Sequence, residues 1–73
     1  MPTQKVLAPT AGMVTLIQKK VGDEVEVDEP VVVIECMKVH IPIVSPVAGR
    51  VASIAVRADE TIAEDQVVFT ISV

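Results

Sequence analysis

The fold is decided by a stretch of sequence that occurs twice in the chain. Residues 6–36 read VLAPTAGMVTLIQKKVGDEVEVDEPVVVIEC, and with a shift of 37 they align without a gap onto residues 43–73, IVSPVAGRVASIAVRADETIAEDQVVFTISV. The Pro-x-x-Gly turns that begin at Pro9 and Pro46 and the match of Asp28 with Asp65 carry more weight in this alignment than the aliphatic pairs do. Two copies are too few to stack as a solenoid. We therefore expect the halves 6–36 and 43–73 to pack face to face about a pseudo-two-fold axis.

Each half consists of short apolar segments separated by turn signals. Valine and isoleucine make up 23 of the 73 residues, and both are β-branched, so they favour strands. In the Pro-x-x-Gly turns we expect proline to preset φ and glycine to adopt a positive φ. No stretch shows an amphipathic helical stripe bounded by caps. The spacing predicts one all-β sandwich or barrel domain over residues 1–73, with strands near 5–8, 13–19, 24–27, 31–36, 39–44, 50–56, 61–63 and 67–72.

The apolar positions of these segments form the predicted core, with the sheet register deciding which of them face inward. Cys36 is interpreted as a small buried filler. The predicted core residues are Val6, Val14, Ile17, Val25, Val32, Ile34, Ile43, Val51, Ile54, Ile62, Phe69 and Ile71.

Length and composition exclude several classes of protein. One cysteine cannot form an internal disulfide, and one cysteine with one histidine cannot build a zinc site. A single aromatic residue and a net charge of −4 argue against a nucleic-acid surface. The longest apolar run, residues 31–34, is too short to span a membrane, and no secretory signal opens the chain. We expect a cytoplasmic chain, since its cysteine is unpaired, with no metal site and no enclosed active site. Its start at Met1 favours a short complete protein.

Nine of the ten carboxylates fall into two segments related by the repeat, residues 23–29 and 59–65. We interpret them as solvated turns that keep a valine-rich barrel soluble and monomeric. Metal binding is the alternative, although neither segment resembles a calcium loop in its spacing.

The junction between the halves, Met37-Lys38, is the one place that the symmetry leaves unique. A strand ends before it and another begins after it, which predicts a tight hairpin with Lys38 at or beside the tip. The junction lacks the Asn-Gly pair that two-residue hairpin turns favour. Lysine and a large apolar methionine are unfavourable turn residues, and such a local mismatch indicates a functional role. The alternatives are a solubilising lysine at position 38 and a core-filling side chain at Met37.

Around this junction the sequence resembles the biotinyl domains of biotin-dependent carboxylases. Glu35-Cys36-Met37-Lys38-Val39 is similar to their Glu-Ala-Met-Lys-Met motif, and Lys38 lies 35 residues before the C-terminus, as in that family. The resemblance covers nearly the whole chain, including the turn segments 9–12, 21–25 and 45–51. It implies a flattened antiparallel barrel of two four-stranded sheets with pseudo-two-fold symmetry.

The resemblance also implies a function. Lys38 would carry covalent biotin, with Met37 and Val39 as flanking recognition residues and Glu35 as a further candidate for recognition by the ligase. A biotin carboxyl carrier is not itself an enzyme. A biotin protein ligase modifies it, and it shuttles carboxyl groups between biotin carboxylase and carboxyltransferase, as in the acyl-CoA carboxylases of fatty acid metabolism. The acceptor stays open among acetyl-CoA, another acyl-CoA, a keto acid and urea.

Two departures from the family pattern bear on this interpretation. Val39 replaces the usual methionine, which weakens the distinction from lipoyl domains; these typically have Asp-Lys-Ala, and no aspartate precedes Lys38, so biotin is favoured over lipoate. Asp28, Asp59 and Asp65 replace family glycines, and aspartate tolerates the left-handed region, so we expect these turns to survive. A lipoyl or dual carrier and an unmodified barrel acting as an interaction module are the alternatives.

Overall fold

The chain folds into eight strands in two four-stranded antiparallel sheets, as the computed structural model shows for residues 2–73. The strands are β1 (Thr3–Leu7), β2 (Gly12–Ile17), β3 (Glu24–Val25), β4 (Pro30–Cys36), β5 (Val39–Val44), β6 (Gly49–Ile54), β7 (Thr61–Ile62) and β8 (Val67–Ser72). The predicted all-β class is confirmed, and none of residues 2–73 belongs to a helix that could cross a membrane. Met1, on which the expectation of a complete short protein rested, lies outside the described residues.

The two sheets are copies of each other, as the internal repeat predicted. The tip sheet has the order β5-β4-β2-β7, and the terminal sheet, which holds the first and last strands, has the order β1-β8-β6-β3. The shift of 37 converts one order into the other strand by strand. The irregularities are copied as well, since the register shifts between Val14 and Leu16 in β2 and between Val51 and Ser53 in β6. The predicted pseudo-two-fold is confirmed, with the sheets facing each other as a flattened sandwich.

Aspartates occupy the left-handed positions of the turns that lead into and out of the short strands. Asp28, Asp59 and Asp65 have φ of 69°, 68° and 68°. Asp28 and Asp65 are related by the pseudo-two-fold, and Asp59 is the counterpart of Gly22, whose φ is 96°. The prediction that aspartate maintains these turns in place of glycine is confirmed, because its short polar side chain tolerates this region.

The Pro-x-x-Gly turns need glycine for a different reason from the one predicted. The positive φ expected at Gly12 and Gly49 is wrong, since among residues 2–73 only Gly22 is a glycine with that conformation. A Cβ on Gly12 would lie 2.7 Å from the carbonyl oxygen of Glu35, and one on Gly49 would meet the carbonyl oxygen of Ser72. The close approach of the neighbouring strand therefore excludes a side chain at both positions.

The core lies between the two sheets. Ten of the twelve predicted core residues are buried, and Ile17 and Ile54 pack half-buried against its edge. Burying an aliphatic side chain stabilises the fold by about 1.5–3 kcal/mol, so this layer supplies most of the stability of a chain without a disulfide. The sequence prediction missed four residues at register shifts or just beyond strand ends, where alternation breaks down: Ala8, Val31, Val56 and Val68.

The turn between β4 and β5 and the two chain ends lie at opposite ends of an elongated molecule. The Cα atoms span 36 × 17 × 17 Å. Val73 donates its backbone N–H to the carbonyl oxygen of Pro2 (3.2 Å), which brings the chain ends together at one end of the terminal sheet. The loop 8–11 connects the opposite end of β1 to the start of β2, where Met13 pairs with Glu35 close to the β4–β5 turn. The fold therefore presents this turn as a free tip.

Candidate functional site

The tip turn consists of two residues, Met37 and Lys38. Cys36 and Val39 pair directly on either side of it, so β4 and β5 are hydrogen-bonded up to the turn itself. Met37 has a φ of 52° and Lys38 a φ of 67°. Positive φ at both central residues is the pattern of a type I′ hairpin turn, whose twist matches the flanking strands. The predicted tight hairpin with Lys38 at its tip is confirmed.

The tip turn places two unsuitable residues in the left-handed region. That conformation costs roughly 1–2 kcal/mol for a residue other than glycine, asparagine or aspartate. The paired strands on both sides hold it in place, and such conformations concentrate at functional sites. Sequence reasoning missed the positive φ of Met37 and Lys38, and the only signal for it was the lack of a suitable turn residue between two strands.

Side chains at the tip are open to solvent. Met37 is 91% exposed, so its interpretation as a core-filling residue is wrong. Lys38 is exposed too, and the ion pairs among residues 2–73, Lys19–Glu29 and Arg50–Glu24, leave its amine unpaired. An exposed primary amine on a turn that paired strands hold in place is suited to receive an acyl group.

The residues beside the tip differ in burial. Cys36 is half-buried, so its prediction as a buried filler is right only in part, because the core thins towards the end of the hairpin and its partner Val39 is 59% exposed. Glu35 is half-buried and pairs with the exposed His40.

The acidic loops of the second half lie at the tip end of the molecule, on the β7 edge of the tip sheet. Residues 59–65 flank β7, which pairs with the start of β2 at the tip end of the molecule. Within residues 2–73, no group of three or more His, Cys, Asp or Glu side chains is placed to hold a metal ion. Glu60 accepts a hydrogen bond from the backbone N–H of Arg57 (2.9 Å), which orders its turn, and the four carboxylates of residues 59–65 add negative charge at this end.

The charged groups of the first half lie at the opposite end and have a local structural role. The carboxylate of Glu29 accepts a hydrogen bond from the Nζ of Lys19 (2.6 Å) and another from the backbone N–H of Glu26 (2.9 Å). The lysine contact holds the pKa of Glu29 below its ordinary value and raises the pKa of Lys19. Both side chains lie at the surface and are 26% and 31% exposed, so this pair orders a turn and makes a modest contribution to overall stability.

Known proteins resemble this chain in sequence and in structure. A family model described as biotin-requiring enzyme (Biotin_lipoyl) matches residues 4–71. The alpha subunit of mitochondrial methylcrotonoyl-CoA carboxylase from Oryza sativa subsp. japonica is 37% identical over 70 residues, 96% of this chain and 10% of its own. The dihydrolipoyllysine-residue acetyltransferase component of the pyruvate dehydrogenase complex from Mycobacterium bovis is 47% identical over 53 residues, 73% of this chain and 10% of its own.

The solved structure of the Kluyveromyces lactis urea carboxylase has the same fold, with a TM-score of 0.93 at 22% identity over 99% of this chain and 6% of that one. The chain spans about a tenth of the length of the curated relatives it matches. One relative is a carboxylase subunit and the other an acetyltransferase component, so the comparisons agree on the type of domain and differ on the group it holds.

Proposed function

The chain belongs to the biotin/lipoyl attachment domain family, and on that premise we propose that it is a biotin carrier, with biotin held in amide linkage to the Nζ of Lys38. The observation that supports this most is the exposed, unpaired amine of Lys38 at a two-residue turn, fixed by paired strands on both sides. The fold presents this amine at the end of the molecule farthest from the chain ends, where a partner can enclose it.

In the attachment reaction the carrier contributes only a correctly placed nucleophile. A biotin protein ligase supplies biotin as the acyl-adenylate. The neutral amine of Lys38 attacks the acyl carbon, the amide bond forms as AMP leaves, and the amine proton passes to a base on the ligase. The rigid turn keeps the Cα of Lys38 fixed while its long side chain enters the ligase. Attachment removes one positive charge, which changes the net charge of the chain from −4 to −5.

Once attached, biotin supplies a ureido nitrogen that takes up and gives away a carboxyl group in the active sites of partner enzymes. The chain contributes the tether and its placement, and the tether raises the local concentration of the group at each partner. We propose biotin carboxylase and carboxyltransferase as these partners, with the chain acting as a monomeric carrier rather than an enzyme. The methylcrotonoyl-CoA carboxylase relative, which aligns with 96% of the chain, supports this proposal.

Biotin is preferred over lipoate on the residues around Lys38. Met37 precedes the lysine, as in biotinyl domains, and the aspartate typical of lipoyl domains is absent. A lipoyl carrier, or a carrier that accepts both groups, is the second candidate. It is favoured by Val39 and by the 47% identity to an acetyltransferase component.

Intact-mass measurement after co-expression with each ligase tests this proposal. We expect a biotin-sized increment with the biotin protein ligase and none with the lipoyl ligase. A lipoyl-sized increment with the lipoyl ligase alone would identify a lipoyl carrier, and increments with both would identify a dual carrier. No increment with either ligase would contradict both candidates and leave an unmodified interaction module.

A further inference from the structure

The outward faces of the two sheets differ at positions that the pseudo-two-fold makes equivalent. Across the middle of the tip sheet, three outward residues paired on neighbouring strands are apolar: Leu16, Val33 and Pro42. The three equivalent residues of the terminal sheet are polar: Ser53, Thr70 and Lys5. One row closer to the tip, Met13 extends the apolar surface where the terminal sheet has Arg50. We call Met13, Leu16, Val33 and Pro42 the outer strip.

The outer strip is accessible to a partner. Leu16 is 50% exposed and Met13 39%, while Pro42 is exposed and Val33 half-buried. Scattered surface apolar residues are ordinary, but Leu16, Val33 and Pro42 lie side by side on three adjacent strands, and Met13 lies in the next row of β2. The terminal sheet forms the same backbone ladder with polar residues at these positions, so the fold itself does not require the apolar ones. A contiguous exposed apolar surface of this kind is typical of an interaction site.

One apolar pair on the terminal sheet does not remove this difference. Leu7 and Val67 are paired and partly exposed, and their equivalents on the tip sheet, Val44 and Pro30, are apolar as well. This row is common to both halves. The outer strip is where the halves diverge, and it lies on the sheet that carries Lys38.

The outer strip lies on the same sheet as the tip turn and is separated from it only by the rest of the row of Met13, namely Glu35 and His40. Val33 on β4 lies five residues before Lys38, which is about 17 Å of extended chain. Met13 pairs with Glu35, which lies closer to the turn. The loops beside this end carry four carboxylates in residues 59–65, against the single cation of Arg57. A partner that covers both the strip and the tip therefore needs an apolar patch bordered by lysine or arginine.

We propose that the outer strip is the docking surface for the biotin protein ligase, an inference that rests on the proposed function. The ligase must bring the Nζ of Lys38 itself within about 3–3.5 Å of the acyl carbon. Because the lysine carries no arm at that stage, the body of the carrier has to be held. Enzymes that act later meet the group at the end of a flexible tether and depend less on the position of the sheet.

The test uses the strip's own symmetry equivalents. The double variant Leu16→Ser/Val33→Thr installs the residues that the terminal sheet already accommodates at these positions. Initial rates of biotinylation are measured against carrier concentration with purified ligase, biotin and ATP. We expect KM for the carrier to rise about tenfold, with kcat unchanged because the tip turn is untouched. The matched control, Ser53→Ala/Thr70→Val on the terminal sheet, should leave both constants unchanged.

A second variant keeps the test decisive if the double variant unfolds, which circular dichroism will show. Pro42→Lys introduces the equivalent residue of the terminal sheet, Lys5, and places a cation opposite a basic partner. It should raise KM, and more so at low salt. An unchanged KM in the folded variants would overturn the docking proposal alone, whereas a wild-type chain that is not biotinylated would overturn the proposed function with it. A dimer of the wild type in sedimentation, lost in the double variant, would assign the strip to a second copy and also overturn the proposal.

Discussion

Replacing Gly12 by alanine should lower the stability of the fold and displace the tip turn. A Cβ at this position would lie 2.7 Å from the carbonyl oxygen of Glu35 and 3.5 Å from the side chain of Ile34. Carbon and oxygen ordinarily approach no closer than about 3.3 Å, so β2 and β4 must separate by about 0.6 Å beside Gly12. Glu35 lies three residues before Lys38, so we expect this displacement to reach the tip turn.

The Cβ introduced by Gly12→Ala would meet a backbone carbonyl oxygen, so no side-chain rotation can relieve the contact. Overpacking of this kind costs about 1–3 kcal/mol. The entropy of unfolding is about 2.1 cal/mol/K per residue, or about 0.15 kcal/mol/K for this chain. The melting temperature of Gly12→Ala should therefore fall by about 7–20 °C.

Gly49→Ala is the matched control, because its Cβ meets the carbonyl oxygen of Ser72 at the other end of the molecule. Thermal unfolding by circular dichroism should show a loss of stability in both variants. Biotinylation, measured well below both melting temperatures, should lose catalytic efficiency in Gly12→Ala and remain within twofold of wild type in Gly49→Ala. A Gly12→Ala melting temperature within about 2 °C of wild type, or equal loss of biotinylation in both variants, would refute this reasoning.

Three further changes test other parts of the structure. Phe69→Ala should cost about 3–5 kcal/mol, comparable with the whole stability of so small a domain, and circular dichroism at room temperature should show a largely unfolded chain. Met37→Asn places a residue that tolerates positive φ in the tip turn and should raise the melting temperature; no rise would argue against strain there. Because the hydrogen bond from Lys19 lowers the pKa of Glu29, the pair stabilises the fold above the ordinary value of 4.5 and loses this effect as pH falls through the lowered pKa. The melting temperature of Glu29→Gln should therefore lie below wild type at neutral pH and converge with it in acid.

The sequence was sufficient to predict the symmetry of this fold. The matched Pro-x-x-Gly and aspartate positions identified two halves, and β-branched segments between them predicted all eight strands. The prediction failed at Ala8, Val31, Val56 and Val68, whose burial depends on register shifts and on chain crossing between sheets. Such features depend on how distant strands align, and no local pattern reports them.

The candidate site was predicted by position more than by chemistry. Lys38 stood out because the two-fold leaves the junction unique, and the structure places it at a free tip. The outer strip was missed, because Leu16 and Val33 are ordinary strand residues until the equivalent Ser53 and Thr70 are compared with them in three dimensions. Met37 and the lack of an aspartate before Lys38 favour biotin, while the relatives include both a carboxylase subunit and an acetyltransferase component.

The most direct test of the central claim is to locate the modification on the chain. The protein has four lysines: Lys5, Lys19, Lys20 and Lys38. After incubation with biotin protein ligase, biotin and ATP, intact mass and peptide mapping should show one biotin-sized increment on Lys38, and none in Lys38→Arg, which keeps the charge and removes the nucleophile. An increment that persists in Lys38→Arg or maps to another lysine would contradict the account.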